Sequence, residues 1–172
     1  MFGGLRVSTS IQESSTLLFT IRNYRPEDFE TLWGIDQLCF PPGIAYSRYE
    51  LDIYIHRRHA FTLVAEDSGG KIIGFLVADV SRKREGHVVT IDVLSSERQQ
   101  GVGSSLLQAA ESRLRSVGSS VVHLETAVDN APAVAFYKRH GYDVIGTAPR
   151  YYSNGVDALV LEKHLLPPGP SR

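Results

Sequence analysis

The stretch Arg98–Gly103 reads RQQGVG and separates a predicted strand, His87–Leu94, from a predicted helix whose apolar residues run from Gly103 to Val117. A glycine-rich turn at the start of a helix exposes backbone N–H groups that have no partner within the helix, next to the positive end of the helix dipole. Such a turn can bind a phosphate group, because glycines let the backbone approach the ligand closely. The six residues alone also fit a tight turn that binds nothing.

Two common phosphate-binding patterns do not fit this stretch. A nucleotide-binding P-loop needs a Gly-Lys-Ser/Thr sequence, and the stretch contains no lysine. A dinucleotide-binding turn needs a third glycine, but Leu106 occupies that position, and no acidic residue ends a following strand in the expected way. If the turn binds a phosphate, the ligand therefore belongs to another class.

Strand and helix patterns continue on both sides of the stretch. Before it, the spacing of apolar residues predicts a strand, two helices and a strand pair: Leu17–Tyr24, Pro26–Cys39, Ser47–Arg57, Phe61–Glu66 and Lys71–Val80. After it, the pattern predicts a strand, a helix capped by Asp129 or Asn130 and ending at His140, and two more strands: Val121–Ala127, Tyr142–Thr147 and Val156–Lys163. The order predicts a mixed α/β fold with two parallel strands in its central βαβ unit.

Length and composition favour one folded domain. The chain has 172 residues, of which 42% are hydrophobic and 22% are charged. We expect residues 17–165 to form the domain, residues 1–16 to be a flexible lead-in and the proline-rich residues 166–172 to be a disordered tail. The formal net charge of −1 offers no basic surface for a phosphate backbone, so a nucleic acid partner is not expected. No apolar run is long enough to predict a membrane span.

The single cysteine of the chain, Cys39, lies in the apolar run Leu38–Phe40. One cysteine cannot form an intrachain disulfide, so a reducing cytoplasm is the expected location. In apolar surroundings a buried structural thiol is favoured over a nucleophile.

Four segments, in order, resemble the GNAT superfamily of N-acetyltransferases. Arg98–Gly103 fits the pattern Gln/Arg-x-x-Gly-x-Gly/Ala, and Leu124–Asn130 (LETAVDN) resembles the fifth strand and the loop after it. Ala135–Tyr142 (AFYKRHGY) resembles the Phe/Leu-Tyr-x-x-x-Gly-Phe/Tyr segment. The pair Tyr151-Tyr152, followed by Gly155–Ala158 (GVDA), resembles the RimI type and its archaeal and eukaryotic N-terminal acetyltransferase relatives. The resemblance covers about residues 17–165, and one departure is Asp92, where these relatives more often carry a small residue.

The resemblance implies a GNAT fold, with a mixed sheet of about seven strands, four helices and an acetyl-CoA cleft between splayed fourth and fifth strands. It implies acetyl-CoA as a cosubstrate and no metal. The backbone of three strand residues would bind the pantetheine arm: Asp92, Val93 and Leu94. The following turn would hold the pyrophosphate, through Arg98, Gln99, Gln100, Gly101, Val102, Gly103 and Ser104. Asn130 would bond the pantetheine as well as cap a helix, and Tyr137 would lie beside the cofactor.

Acetyl transfer from a thioester requires a neutral amine, a donor to the carbonyl oxygen and a proton for the departing thiolate. Glu125, near the end of its strand, is the first candidate for the base, acting through a water molecule; the alternative is an exposed strand acid. His87 is a second candidate base, or else a histidine at the rim of the sheet. Tyr137 is the candidate general acid, or else a core aromatic.

The acceptor is the least determined part of the reaction. The pKa of an α-amino group is about 8 and that of lysine about 10.4, so a modest base favours a protein or peptide N-terminus. By resemblance the acceptor groove would contain Phe40, Pro41, Glu125, Tyr151 and Tyr152. An enzyme for small amines, such as polyamines or aminoglycosides, would need an acidic pocket, for which Asp36, Glu50 and Asp52 are available. A non-catalytic acyl-CoA-binding module is a third alternative, and both a monomer and a homodimer remain open.

Overall fold

The computed structural model describes residues 18–165, so the expectations for residues 1–16 and 166–172 lie outside the described part of the chain. Within it the strands are β1 Phe19–Asn23, β2 Phe61–Asp67, β3 Ile72–Val80, β4 Gly86–Val93, β5 Val121–Ala127, β6 Asp143–Ala148 and β7 Ala158–His164. The α-helices are α1 Phe29–Cys39, α2 Arg48–His56, α3 Val102–Ser116 and α4 Ala131–Arg139. Every predicted strand and helix whose residues are described is present, with boundaries shifted by at most two residues except at α1, where Pro26–Asp28 form a 3-10 turn before the α-helix begins.

The strands form one sheet in the order β1-β2-β3-β4-β5-β7-β6. All neighbouring strands are antiparallel except β4 and β5, which are parallel and joined through α3. Their pairing covers only Gly86–Val88 on β4 and Val122–Leu124 on β5. Both strands continue beyond these residues, so their carboxyl-terminal halves separate and leave an opening in the middle of the sheet. This confirms the predicted α/β GNAT fold with a splayed fourth and fifth strand.

Two apolar clusters cover the two faces of the sheet. One packs the buried stripe of α3, including Leu106 and Leu107, against β3, β4 and β5. The other packs Leu32 of α1 and Leu51 of α2 against Phe75 of β3 and its neighbours. Helices on both faces therefore bury the central strands. The opening between the separated ends of β4 and β5 lies within this covered part of the sheet.

Local signals in the sequence set the starts of α2 and α4. Ser47 and Glu50 form a capping box at the start of α2, with the Ser47 N–H donating to Glu50 Oε2 at 2.8 Å. Asn130, rather than Asp129, caps α4 by accepting a hydrogen bond from the Ala133 N–H at 3.2 Å.

Helix length argues against a transmembrane segment in the described part of the chain. Within residues 18–165, no helix is both long enough and apolar enough to cross a bilayer.

Candidate active site

The opening between β4 and β5 continues into a cleft of about 690 Å³. Its walls come from the edge of β4, the end of β5, the start of α3, one side of α4 and two loops. The predicted site residues that line it are Phe40, Pro41, Val93, Arg98, Gln99, Gly101, Gly103, Ser104, Glu125, Asn130, Tyr137 and Tyr152. The cleft therefore brings residues from six separate segments of the chain to one place.

The start of α3 lies at one end of the cleft. Gly101 has a φ of +84°, a left-handed conformation that favours glycine, and α3 begins at the next residue, Val102. The N–H groups of the first helical turn have no partners within the helix, so those of Gly103 and Ser104 are available to a ligand at this end. These features fit a pyrophosphate, as expected from the turn sequence.

Of the three residues predicted to bind the pantetheine arm, only Val93 has its backbone groups on the open edge of β4. The Leu94 N–H donates to the Ile73 carbonyl oxygen at 3.0 Å, so it points toward β3 and away from the cleft. Backbone groups alternate in direction along a strand, which places those of Val93 and Ile91 on the open edge. Val93 and Ile91 line the cleft, whereas the sequence-predicted Asp92 and Leu94 do not. Ile91 was missed because only the pairing of β4 with β3 decides which residues face the opening.

A chain of four charged or titratable groups runs from the acceptor end of the cleft to the protein surface. Glu125 lines the cleft, and its Oε2 lies 2.7 Å from His87 Nε2. His87 Nδ1 lies 3.9 Å from Asp79 Oδ1, and the other oxygen of Asp79 accepts a hydrogen bond from Arg57 at 3.1 Å. His87 pairs with His123 in the parallel register of β4 and β5, and Glu125 is the next residue after His123 on the same face of β5, which brings Glu125 to His87. Nothing in the sequence pattern indicated Asp79 or Arg57. Asp79 lies in β3 and Arg57 directly follows α2.

These neighbours change the proton affinity of His87. Burial of the imidazole lowers its pKa and is the largest single influence, but the hydrogen bond and charge of Glu125 and the charge of Asp79 together exceed it. The net result is a His87 pKa above its ordinary value. A histidine in this state holds its proton more strongly, and its charge depends on the Glu125 carboxylate.

Tyr137 of α4 is buried in the apolar core and also lines the cleft, so the core and site interpretations of this residue both hold. Its ring packs edge-on against Phe136 and Tyr142, with centroids 5.2 and 5.7 Å away. Burial raises the pKa of its hydroxyl, and nearby Asp92 and Tyr152 add to the effect. The phenol therefore stays protonated and is suited to donate a hydrogen bond.

Two loops close over the acceptor end. The loop after α1 carries Phe40 and Pro41, and the loop between β6 and β7 carries Tyr152. The loops touch where the Ser153 hydroxyl donates to the Gly43 carbonyl oxygen at 2.9 Å. Gly43 has a φ of +87°, and a Cβ there would lie 2.7 Å from the Asn154 Cβ, so only glycine fits this contact.

Several predicted site residues lie next to the cleft without lining it. Tyr151 is half exposed beside Tyr152, and burial together with the Glu125 charge raises its pKa to about 12. Gln100 is exposed, with its side chain bonded to the Ser96 carbonyl oxygen, and Val102 is buried in the core. His87 does not line the cleft itself but hydrogen-bonds to Glu125, which does. Tyr46, which the sequence did not indicate, lines the acceptor end.

The acidic residues considered for a small-amine pocket do not form one. Asp36 is fully buried, Glu50 is part of the α2 capping box, and Asp52 lies 3.2 Å from His56 on the exposed side of α2. None of the three lines the cleft. In residues 18–165, no group of three or more metal-ligating side chains is placed to hold a metal ion.

A cleft between splayed parallel strands, lined by a helix N-terminus and by the carboxylate of a Glu–His pair, is the arrangement expected of an acyltransferase that uses a phosphate-bearing acyl carrier. The family model described as Acetyltransferase (GNAT) family matches residues 29–142. The chain belongs to this family, and it is an N-acetyltransferase. The family uses acetyl-CoA.

Comparisons with individual proteins agree with the family. The chain is 30% identical over 155 residues to an N-alpha-acetyltransferase of Sulfurisphaera tokodaii, covering 83% of this chain and 91% of the relative. Its fold resembles the crystal structure of Ard1 from Thermoplasma volcanium, with a TM-score of 0.79, 28% identity, and coverage of 87% and 99% of the two chains. It also resembles the ribosomal-protein-S18-alanine N-acetyltransferase of Escherichia coli, with a TM-score of 0.76, 22% identity, and coverage of 90% and 98%. The predicted likeness to archaeal and RimI-type enzymes is confirmed.

The start of α3 provides a test of cofactor binding. Gly103→Glu places bulk and negative charge where the pyrophosphate is expected, and we expect it to abolish measurable acetyl-CoA binding in calorimetry. Glutamate in the first turn of a helix is compatible with folding, because it faces the positive end of the dipole. Gly103→Gln adds the same bulk without the charge and should bind more tightly than Gly103→Glu. Wild-type affinity in Gly103→Glu would show that the cofactor does not bind at this turn.

Proposed function

We propose that this chain transfers the acetyl group of acetyl-CoA to the N-terminal α-amino group of a protein or peptide, directly within a ternary complex and in the cytoplasm. The observation that carries the proposal is the Glu125–His87 pair at 2.7 Å, in which Glu125 lines the same cleft as the start of α3. The N-alpha-acetyltransferase name of the Sulfurisphaera tokodaii relative supports the same acceptor.

The base is the Glu125–His87 pair acting as one unit. Bound acetyl-CoA supplies an activated thioester carbonyl. The Glu125 carboxylate accepts a proton from the incoming ammonium through a water molecule, and the freed nitrogen lone pair forms the bond to the carbonyl carbon. His87 Nε2 hydrogen-bonds to this carboxylate, and Asp79, which accepts a hydrogen bond from Arg57, lies 3.9 Å from the other imidazole nitrogen.

The other end of the reaction needs a group that stabilises the departing sulfur. As the carbon–sulfur bond breaks, the electron pair stays on sulfur, and the Tyr137 hydroxyl is placed to donate a hydrogen bond to it. The raised pKa of Tyr137 favours this hydrogen-bonding role over complete proton transfer. The nitrogen loses a second proton as the amide bond forms. Of the two protons that the ammonium loses in all, one ends on the thiolate and the other passes from the base to solvent.

The shape and charge of the acceptor end favour a peptide over a small polyamine. Its walls are mostly apolar and aromatic, formed by Phe40, Pro41, Tyr46 and Tyr152, with Glu125 and Asp129 as the carboxylates among the lining residues. A polyamine or aminoglycoside carries several cations and would need several acidic partners. An extended peptide with one terminal ammonium matches this arrangement better, and Tyr151 at the rim would extend the groove for the following residues.

A direct assay compares acceptors on the same enzyme. We expect acetylation of peptides with free α-amino groups and much slower reaction with N-terminally blocked peptides that contain lysine, because a lysine amine is rarely neutral at pH 7. A panel of polyamines and aminoglycosides serves as the comparison. Faster turnover of a panel member than of any peptide in a library would replace the peptide proposal by the small-amine alternative.

Tyr137→Phe tests the role of the hydroxyl near sulfur. We expect lower kcat with nearly unchanged acetyl-CoA affinity, because the phenyl ring still packs against its aromatic neighbours. Tyr142→Phe is the matched control, since that hydroxyl donates to Glu111 at 3.0 Å inside the core and does not reach the cleft. It should lower stability but leave kcat close to wild type. An unchanged kcat in Tyr137→Phe would remove this residue from the mechanism.

The pH dependence of kcat tests the base. Because a protonated pair cannot accept the amine proton, we expect wild-type kcat to rise with pH and level off above the raised His87 pKa. Glu125→Gln keeps the shape but loses basicity, so kcat should fall by roughly ten- to a thousandfold. It also removes the Glu125 charge, one of the interactions that raise the His87 pKa, while the Asp79 charge remains, so the remaining rise should move to lower pH.

Matched controls for this experiment lie on the adjacent strands. His123 and Glu162 form a similar pair, with His123 Nδ1 and Glu162 Oε2 3.3 Å apart, outside the cleft. His123→Ala and Glu162→Gln should therefore keep the wild-type pH profile. If His87→Ala and Glu125→Gln are both severe and the double variant is no worse than either, the two residues act together. A wild-type rate in Glu125→Gln would exclude its carboxylate as the base.

A further inference from the structure

Two aspartates are buried together behind the acceptor loop, residues 40–47. Asp36 of α1 is 0% exposed and Asp92 of β4 is 1% exposed. Helix α1 packs on β4 at this point, where the Cys39 thiol, three residues after Asp36, donates to the carbonyl oxygen of Val93, next to Asp92, at 3.4 Å. Each of the two carboxyl groups affects the pKa of the other. Neither lines the cleft, and the reaction proposed above uses neither side chain.

The hydrogen bonds around this pair leave two oxygens without a donor. Asp36 Oδ2 accepts from the Tyr46 N–H at 2.8 Å and from Gln37 Nε2 at 3.0 Å, and Asp92 Oδ1 accepts from the Thr90 hydroxyl. Among residues 18–165, no group donates to the remaining oxygens, Asp36 Oδ1 and Asp92 Oδ2. Two ionised carboxylates cannot donate to each other, and two buried like charges in contact are strongly unfavourable. One proton held between the two residues satisfies both oxygens and removes one charge.

We propose that Asp36 and Asp92 share one proton and that the resulting carboxyl–carboxylate hydrogen bond is a positioning device that fixes the acceptor loop onto strand β4. That this loop binds the acceptor rests on the proposed function. The two aspartates are positioning residues, because they act on the substrate only through the loop.

The route from the pair to the cleft passes through Tyr46. Asp36 holds the Tyr46 N–H, while the Tyr46 carbonyl oxygen accepts from Gln37 Nε2 at 2.7 Å and from Trp33 Nε1 at 3.2 Å. The Tyr46 hydroxyl donates to the Val89 carbonyl oxygen at 3.4 Å, and its ring packs on Tyr54 with the centroids 4.9 Å apart. Tyr46 lines the acceptor end, so movement of Asp36 relative to β4 would displace one wall of the groove.

The surroundings favour retention of the proton at neutral pH. Burial raises the pKa of Asp92 well above its usual range, and the charge of Asp36 adds to this, whereas the Thr90 hydrogen bond and the Arg98 charge oppose it. Burial also raises the pKa of Asp36, and the more distant Glu50 charge acts in the same direction. The other titratable groups facing the pair are neutral at pH 7, since the pKa values of Cys39, Tyr46 and Tyr137 are all raised.

Amide substitutions separate a shared proton from other arrangements. Asp36→Asn and Asp92→Asn each supply a fixed N–H donor to the remaining carboxylate and should keep the loop in place. Asp36→Ala and Asp92→Ala remove the bond. In hydrogen exchange of the full chain without substrates, we expect wild-type protection of the Tyr46 amide in Asp92→Asn and at least tenfold faster exchange in Asp92→Ala. Asp143→Asn, on exposed strand β6, is the control and should change nothing.

Infrared spectroscopy detects the proton directly. Wild-type protein at pH 7 should show the C=O band of one buried protonated carboxylic acid, and this band should be absent from both asparagine variants and present in Asp143→Asn. The absence of a carboxylic acid band at pH 7 in the wild type would overturn the proposal. So would equal loss of Tyr46 protection in Asp92→Asn and Asp92→Ala.

Stability against pH provides a further readout with a defined sign. The folded pair keeps a proton that unfolded aspartates lose near their ordinary pKa of about 3.9. Its contribution to the free energy of unfolding is therefore largest below that pH and is lost as pH rises toward the folded pKa. Relative to Asp92→Asn, the wild type should become progressively less stable over this range. A difference that does not vary with pH would contradict a shared proton.

Peptide kinetics distinguish this proposal from the proposed function. Asp36→Ala should raise KM for the peptide by more than it raises KM for acetyl-CoA, and Asp36→Asn should restore it. If peptides prove not to be substrates while the infrared and exchange results hold, the peptide acceptor is wrong and the shared proton stands. If peptides are acetylated and Asp36→Ala leaves both KM values unchanged, the positioning role is wrong.

Discussion

Strands β4 and β5 stay paired only from Gly86 to Val88 and then separate, and every functional feature of the molecule depends on that separation. The split leaves backbone groups of β4 without a neighbouring strand, which is costly unless water or a ligand takes their place. It also opens a cleft that both the start of α3 and the last residues of β5 line. A long ligand bound there can act as an additional strand while its phosphates lie on the helix N-terminus.

The pKa values at the site depend on two opposing influences: burial, which disfavours the charged form of a group, and charged or hydrogen-bonding partners, which can stabilise it. His87 would lose proton affinity through burial, but Glu125 and Asp79 more than compensate. Around Tyr137 there is no such compensation, so its hydroxyl remains protonated. One cleft thus contains two kinds of candidate group: a carboxylate–imidazole pair that can accept a proton, and a phenol that keeps its own. Asp36 takes part in neither the proton acceptance nor the phenol's hydrogen bond, since it is buried outside the cleft.

The fold could be predicted largely from local patterns. The alternation of apolar residues marked the strands, and glycines and prolines marked the ends of the helices. The capping box at Ser47 and the cap at Asn130 lie within one helical turn, so a few adjacent residues determine them. The membership of the GNAT family was also accessible, because its motifs are short stretches whose backbone conformation binds the cofactor. Glu125 and Tyr137 were found through these motifs and not through periodicity.

What the sequence by itself determined was the order of elements, the candidate phosphate-binding turn and the candidate acid and base. Only the tertiary structure decided that His87 bonds Glu125, that Asp79 and Arg57 stand behind it, and that Asp36 is buried against Asp92 instead of lining an acidic pocket. These contacts join segments far apart in the chain, through strand register and through the packing of α1 on β4. Local propensity carries no information on register, because a shift of one residue leaves the strand pattern intact and turns each side chain to the other face.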